Sequence, residues 1–459
     1  MTTLNYHFSG VAGAGMNPLA RLMRARGHRV QGSDRALDQG LMLETAALLR
    51  GEGIALVPQD GAAIGAGLDR FVYSTAVEAE TPEWRAARAL EIPMLPRPAL
   101  LAELVNAGRP GVAISGTCGK STVTGLVAWL VETATVIGGA PRIGEGIAGG
   151  LSAGPEDGPT IAETCESDGT LTGYRPDLGV IHNVSRDHAE LSSLREQFAE
   201  FAAQCGRLLV NAGCPEAAGL GREVGARSYG VRRDADFPLR VVSTGPDRAR
   251  GVLGLPGGHL ELDMPLPGLH NLENAAAAAL VALELGGSPE AIEQALPLFP
   301  GLARRFEVVG VTPAGIRVVD DYAHNPEKIR AALTTAQAGC DRLVAVFQPH
   351  GFGPARFMRA ELALMLPRLL RARDRFCFAE IFYAGGTVAR DVSSAALAAD
   401  LPGSIGCAVA HDHAAVVEWV AAEARPGDTV LLMGARDPRL PALARRVLDA
   451  LGGPTVHGS

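Results

Sequence analysis

A chain of 459 residues that is 47% apolar and 20% charged is long enough for roughly two to four domains, each with its own core. Its formal charge of −8, with no long run of one sign, excludes the basic footprint of a duplex-binding protein and leaves room only for local anion sites. The most apolar stretches, such as 274–285, fall short of the ~20 residues that cross a bilayer, the first fifteen residues lack a basic segment followed by a long apolar one, and the seven cysteines include no C-x2-C pair; we therefore expect a soluble cytoplasmic protein with reduced thiols and neither nucleic-acid nor membrane partners.

In chain order, residues 4–9 form a short strand pattern that runs into Gly10-Val11-Ala12-Gly13-Ala14-Gly15-Met16, and an apolar-periodic helix follows from about Pro18 to Arg26. Arg29 to Asp34 reads as a second strand ending in an acid. Strand, glycine turn, helix, strand opens a doubly wound domain, in which the glycines let the backbone approach an anion at the helix N-terminus. The G-x-x-G-x-G spacing is weak by itself, and Asp34 as a dinucleotide ribose ligand is one reading of it. Strand patterns at 70–74 and 92–96 flank a helix over 82–90; a short helix covers 100–106 and Asn106 to Pro110 reads as a linker, which closes a first domain of residues 1–108. Gly111–Ser115 is a strand, followed by a glycine loop and a helix to about Glu132. Strands at 161–164, 178–181 and 207–210 alternate with helical stretches, among them 194–204, and predict a mostly parallel sheet. Residues 224–266 read as short antiparallel strands, and helices at 271–285 and 289–296 complete a second domain, 109–302. The third, 303–459, repeats the α/β alternation with strands at 315–319, 343–347, 375–380 and 429–433 and helices near 327–338, 358–371, 393–399, 412–423 and 439–451.

The strongest local signal is Gly116-Thr117-Cys118-Gly119-Lys120-Ser121-Thr122. It is a shortened Walker loop, with an apolar strand before it and a helix after it. Backbone N–H groups there cradle phosphates, Lys120 neutralises β/γ oxygens, and the Ser121 hydroxyl suits Mg²⁺. The motif predicts ATP as the nucleotide and leaves the reaction open; the competing reading is a glycine turn with an accidental lysine. Glu166 and His188 follow later strands of the same domain, where an open α/β sheet lines its ligand crevice. They are candidates to converge with Ser121 on a metal, the histidine fitting a second, less strict ion site. Glu163 and Asp168 are either solvated or cap the following turn. Asn271 and Asn274 open an Ala-rich helix, either capping it or contacting adenine. Arg305 reaches a phosphate or makes a hinge salt bridge. Asp320-Asp321-Tyr322-Ala323-His324-Asn325-Pro326 and Phe347-Gln348-Pro349-His350 put too many polar groups at strand ends to be core.

Taken together, these motifs resemble the Mur ligase superfamily over nearly the whole chain. The loop resembles the family's G-T-x-G-K-[ST]; His270, Asn271 and Asn274 match its H-N-x-x-N segment; Arg304-Arg305-Phe306 and the Asp320–Pro326 run match its hinge arginine and D-D-Y-x-H-x-P signature. His7-Phe8-Ser9-Gly10-Val11-Ala12-Gly13-Ala14-Gly15-Met16, Gly32-Ser33-Asp34, Ser74 to Val77 and Arg97 resemble the N-terminal segments of the family's alanine-adding branch. The resemblance implies a Rossmann-like UDP-sugar-binding domain, a central P-loop ATPase-like domain and a C-terminal Rossmann-like domain. It further implies an ATP- and Mg²⁺-dependent ligase that joins an amino acid, in the first place L-alanine or another small one, to the lactyl carboxylate of UDP-N-acetylmuramate through an acyl phosphate. Lys120, Glu166, His188, Arg305, His324 and His350 take the catalytic roles. Gly116, Thr117, Gly119, Lys120, Ser121, Thr122, Asn271, Asn274, Arg305, Asp320 and Asp321 hold the nucleotide, with Ser121, Glu166 and His188 on metal. His7, Gly13, Gly15, Met16, Ser33, Asp34, Ser74, Arg97, Tyr322, His324, His350 and Arg356 face the UDP-sugar and amino-acid substrates. A tripeptide-adding recycling ligase and a relative acting on another carboxylate are the alternatives, and neither monomer nor homodimer is singled out. The chain departs from the pattern at Cys118, where close relatives carry His, at Asn325, and above all at Gly351 and Pro354. There the alanine-adding enzymes carry arginines, and Arg356 and Arg359 are the candidates to compensate.

Overall fold

The computed structural model describes residues 2–74, 81–138, 140–146, 149–166, 169–185, 191–383 and 389–454. They divide into two compact units, the first holding most of residues 1–300 and the second residues 301–459 with two short segments, 245–248 and 266–268.

In the first unit, the strands Asn5–Ser9, Arg29–Ser33, Ala55–Leu56, Arg70–Tyr73 and Met94–Pro96 form a parallel sheet in the order third, second, first, fourth, fifth. The order reverses beside Asn5–Ser9, so the glycine turn after Ser9 sits at the switch point where such sheets bind ligands. The helix Met16–Ala25 begins two residues before the expected start, because its apolar face already includes Met16 along with Leu19, Leu22 and Met23, all buried. Residues 106–110, expected as a linker, instead make a tight packed turn. The helix Arg97–Ala107 ends just before the strand Gly111–Ser115, and a Cβ on Gly111 would lie 2.0 Å from the Val105 carbonyl oxygen.

The second sheet of this unit has ten strands. Gly111–Ser115, buried throughout, lies between Thr160–Glu163 and Leu178–Ile181, parallel to both. Arg207–Asn211 and Arg227–Gly230 continue the parallel run, and Phe237–Thr244, Ala249–Leu255 and Gly258–Met264 form the expected antiparallel addition. The Ala-rich helix Leu269–Glu284 packs against the helix Lys120–Leu130 that follows the glycine loop.

The second unit has a six-stranded sheet. Arg317–Asp321, Thr429–Gly434, Leu343–Gln348, Arg375–Ala379 and Cys407–Ala410 are parallel neighbours in that order, with Glu307–Val311 antiparallel at one edge. Leu343, Ala345 and Phe347 enter one hydrophobic cluster and Val344 and Val346 the other, so strict alternation fills both faces. Both edge strands escaped the sequence reading, since their half-exposed residues show neither clean alternation nor an apolar run. The first parallel strand starts two residues later than expected because Gly315, at φ +75°, belongs to the turn before it. No described helix is long and apolar enough to cross a membrane.

Beneath the first glycine turn lies a buried polar knot. His7 Nε2 stands 3.0 Å from Glu83 Oε1, Ser9 Oγ donates to Glu83 Oε2 at 2.7 Å, and both His7 and Glu83 are almost completely buried. Removing one partner of such a pair strands the other in a dry interior. We expect Glu83→Ala to lower the unfolding free energy by about 3 kcal/mol, measured as the urea midpoint, and Glu83→Gln to lower it less; equal stability of Glu83→Ala and the parent chain would refute this account of the knot.

Candidate active site

The central strand of the ten-stranded sheet delivers the glycine loop between two neighbours, one supplying carboxylates and the other an amide and an imidazole. Gly116 has φ +138° and Gly119 φ +83°, where side chains are strained. Space is also closed to them: a Cβ on Gly116 would lie 3.0 Å from the Asn183 nitrogen, and one on Gly119 would lie 2.6 Å from Asn274 Oδ1 and 2.8 Å from His182 Cδ2. Asn183 fastens the loop. Its Oδ1 accepts from the Cys118 N–H at 2.7 Å and from Thr117 Oγ1 at 2.9 Å, while its Nδ2 donates to the Cys118 carbonyl at 3.0 Å. Ser121 and Thr122 lie in the first turn of Lys120–Leu130, where N–H groups lack partners within the helix and suit an anion.

Lys120 is buried. Its ammonium donates to Glu166 Oε2 at 2.8 Å and to the Gly116 carbonyl. Burial works against its charge, but Glu166, Cys165 and Glu163 outweigh burial and hold its pKa above the ordinary lysine value. Ser121 Oγ donates to Glu163 Oε1 at 3.0 Å. The carboxylate on Ser121 is therefore Glu163, which the sequence reading left as a solvated or capping group, while Glu166 sits on Lys120. Two carboxylates and a hydroxyl are hard oxygen donors of the kind Mg²⁺ prefers. Among the described residues no group of three His, Cys, Asp or Glu side chains is arranged to hold a metal, so an ion here draws further ligands from phosphate and water. His188 lies outside the described residues.

Asn271 and Asn274 are buried inside the helix Leu269–Glu284 rather than at its cap, and Asn274 Nδ2 donates to Asn271 Oδ1 at 3.2 Å. At the five-stranded sheet, Gly13, Gly15, Ser74 and Arg97 gather at the switch point. The Arg97 side chain covers Gly15, where a Cβ would meet its Cδ at 3.1 Å, and the Ser74 N–H donates to the Ser9 carbonyl at 3.2 Å. Asp34 accepts from the Ala36 N–H at 2.8 Å and the Ala12 N–H at 3.1 Å, so it ties the second strand to the glycine turn; burial raises its pKa. His7, Met16 and Ser33 are buried below this surface.

In the second unit, Asp320 and Asp321 are occupied by the turn they belong to. Asp320 Oδ2 accepts from Arg304 Nε at 3.1 Å, and Asp321 accepts from the Phe306 and Ala323 N–H groups at 2.7 Å each. The Arg304 and Arg305 guanidinium groups stand 5.0 and 5.3 Å from the Tyr322 ring centre. Burial, with Lys328 and other cations, lowers the His324 pKa to about 3; its Nδ1 is 2.8 Å from the Tyr322 carbonyl and its ring 5.3 Å from that of His350. A neutral imidazole of such low basicity is suited to hydrogen bonding more than to proton abstraction. Gly351 takes φ +73° as the chain turns into the helix Phe352–Leu369, and Pro354 lies in its first turn, which tolerates proline. Arg356 pairs with Asp391 and Arg359 bidentately with Asp400 on the surface.

Comparison with known proteins bears on all three sheets. The Mur ligase family catalytic domain matches residues 5–109, the Mur ligase middle domain residues 114–282, and the Mur ligase glutamate ligase domain residues 304–436. The chain belongs to the Mur ligase family. This Mur ligase is 39% identical to a Kineococcus radiotolerans protein named UDP-N-acetylmuramate–L-alanine ligase, over 94% of this chain and 93% of that one. It is 38% identical to an Arthrobacter protein of the same name, over 92% and 90%. Among solved structures, the Thermotoga maritima UDP-N-acetylmuramate–alanine ligase aligns at TM-score 0.78 with 25% identity, covering 97% of this chain and 98% of that one. A Psychrobacter arcticus murein peptide ligase shares the fold at TM-score 0.71 with 22% identity, covering 98% and 99%. The three-domain architecture is that of the family.

Sequence reasoning gave no role to several groups that the Mur ligase buries or bonds at its glycine loops: Asn183, His182 and Tyr229 by the second loop, and Glu83 beneath the first. For Asn183 and His182 a signal existed, since polar side chains directly after an apolar strand are poorly explained as core. Glu83 offered none, because an acid in the first turn of a helix is ordinary. Two buried imidazoles also set a pH response. The folded-state pKa is lowered to about 4 for His182, mainly by burial, and to about 3 for His324. The unfolded chain therefore binds more protons between these values and about 6.5, and stability falls as pH drops through that window. From pH 7 to 5 each histidine should cost about 2 kcal/mol. Urea titrations at both pH values should show this loss, and His324→Gln should reduce it.

Proposed function

We propose that this Mur ligase uses ATP and Mg²⁺ to join a small L-amino acid, L-alanine first, to the lactyl carboxylate of UDP-N-acetylmuramate. The observation that carries the reading is the buried Lys120 ammonium, poised at the Gly116–Gly119 loop against Glu166, in a chain so similar to proteins named for that reaction. A cation held there by one carboxylate is set to exchange it for a phosphate oxygen, so charge moving with a phosphoryl group meets a preorganised partner. The carboxylate takes the γ-phosphoryl group of ATP and releases ADP. The neutral amine then adds to the acyl phosphate carbon, and the tetrahedral intermediate expels phosphate and a proton to leave the amide.

Each residue has a place in this scheme. Gly116, Thr117, Gly119, Ser121 and Thr122 orient the phosphates, while Asn271 and Asn274 support the adenine end. Glu163, Glu166 and Ser121, with His188 by family resemblance, would hold Mg²⁺, which would supply charge neutralisation to the phosphates. Gly13, Gly15, Ser74 and Arg97 take the UDP-sugar, with Asp34 and the His7 knot shaping their turn. Arg305, Tyr322, His324 and His350 serve the reaction from the third domain, where Asp320 and Asp321 fix the turn.

A second reading concerns the substrates alone. Gly351 and Pro354 leave the His350 loop without the arginines of the alanine-adding branch, and the nearest replacements are paired with Asp391 and Asp400. A tripeptide acceptor is the alternative to L-alanine, and a different carboxylate donor the alternative to UDP-N-acetylmuramate. The deciding assay supplies UDP-N-acetylmuramate, Mg·ATP and, one at a time, each amino acid or the recycled tripeptide, with product read by mass. We expect ADP release and product with a small neutral L-amino acid, and at least a thousandfold loss in Lys120→Ala. Product only with the tripeptide sinks the acceptor assignment, and ADP release indifferent to both sugar and amine sinks the ligase.

A further inference from the structure

We infer that His182 is a positioning residue for the nucleotide, the middle link of a buried relay that joins the phosphate loop to the asparagines of the adenine segment. The inference rests on the nucleotide role proposed for the loop 116–122. His182 follows the strand Leu178–Ile181 and is buried, with its ring directly under Gly119. Its Nδ1 lies 2.6 Å from the Tyr229 hydroxyl, and the two rings stack at 6.1 Å between centroids. On its other side stands Asn274: a Cβ on Gly119 would meet Asn274 Oδ1 at 2.6 Å and His182 Cδ2 at 2.8 Å, so both side chains close on the same glycine, and Asn274 Oδ1 is a buried acceptor with no hydrogen-bond partner among the described residues. Asn274 Nδ2 donates to Asn271 Oδ1.

These partners assign the protonation pattern. The unpartnered Asn274 Oδ1 lies toward the Nε2 side of the ring and is served by a proton on Nε2, which leaves Nδ1 to accept from the Tyr229 hydroxyl. Burial keeps that phenol protonated, as the donor role requires. Tyr229 and His182 are joined by one hydrogen bond and Asn274 and Asn271 by another, and the two pairs meet at Gly119, between the strand Arg227–Gly230 and the start of the Ala-rich helix. Gly119 is confined by one member of each pair, so the loop's height above the sheet and its distance from the asparagines are set together. Nothing in the relay touches the UDP-sugar turn, and its effect is confined to the nucleotide.

The test is direct binding of Mg·ATP by calorimetry, alongside steady-state constants for each substrate, in the full chain. Tyr229→Phe keeps the ring and removes only the donor that fixes its orientation; His182→Asn keeps a polar group of smaller reach. We expect the Kd and KM for ATP to rise about tenfold in each, from the loss of one buried hydrogen bond, while KM for UDP-N-acetylmuramate stays within twofold and the thermal midpoint of Tyr229→Phe within a few degrees. ATP binding unchanged in both variants overturns the inference, as does an equal rise in both substrates' KM, which a merely structural role would produce. If the unmodified chain fails to bind ATP, the nucleotide reading falls with it; if that chain binds and the variants bind equally well, only the relay falls.

Discussion

The structure turns on a charge placed where charge is costly. An ammonium buried in a glycine loop survives only if a carboxylate and carbonyl oxygens meet it, and for Lys120 these are Glu166 and the Gly116 carbonyl. That requirement dictates much of the surrounding architecture. The loop must curl tightly enough for Lys120 to fold back on Gly116, hence left-handed glycines. A neighbouring strand must end in acids, and the opposite neighbour must supply an amide that fastens the loop from outside. Only a central strand with parallel partners on both sides meets all three conditions, and Gly111–Ser115 is such a strand. Before phosphate arrives, Lys120 and Glu166 satisfy one another. A phosphate at the loop would offer Lys120 oxygen acceptors in place of that carboxylate.

How far this was legible from the residues depends on the range of the interaction. The loop, its strand and its helix are local, and their period and glycines announce them. So do the parallel sheets, whose apolar runs in the second unit fill both faces. The carboxylate pairing was not legible: Glu163 ends a strand and Glu166 follows it, and which one meets Lys120 depends on how the chain bends after Glu163. Asp320 and Asp321 looked like ligand groups because two adjacent acids at a strand end are uncommon in cores. Their hold on Arg304 and two backbone amides depends on Arg304 and Phe306 taking positive φ, at 58° and 52°, which no local pattern signals. The edge strands were missed for a related reason, since pairing on one side alone does not demand alternation.

The loop after His350 shows how a segment can change without disturbing its scaffold. Gly351 is suited to its positive φ and Pro354 to its first helical turn, so the local backbone is internally consistent. The arginines one turn further along are neutralised by exposed carboxylates, contacts of small energetic weight. The backbone of this loop is therefore well specified while its charge pattern is loosely held, so its charges can diverge at little cost to the fold.

The ten-stranded sheet carries a final consequence, for the order in which the molecule assembles. Its antiparallel edge, Phe237–Thr244 through Gly258–Met264, pairs strands joined by short turns, and such contacts close quickly. The central strand has no such neighbour: Gly111–Ser115 meets partners that lie tens of residues further along the chain, with whole helices between. Loop-closure entropy delays those pairings. A nascent chain therefore possesses its meander early and its phosphate loop late. Until Thr160–Glu163 and Leu178–Ile181 have both docked, the groups that neutralise Lys120 and fasten the loop are missing, so nucleotide recognition is a property that only the completed sheet can have.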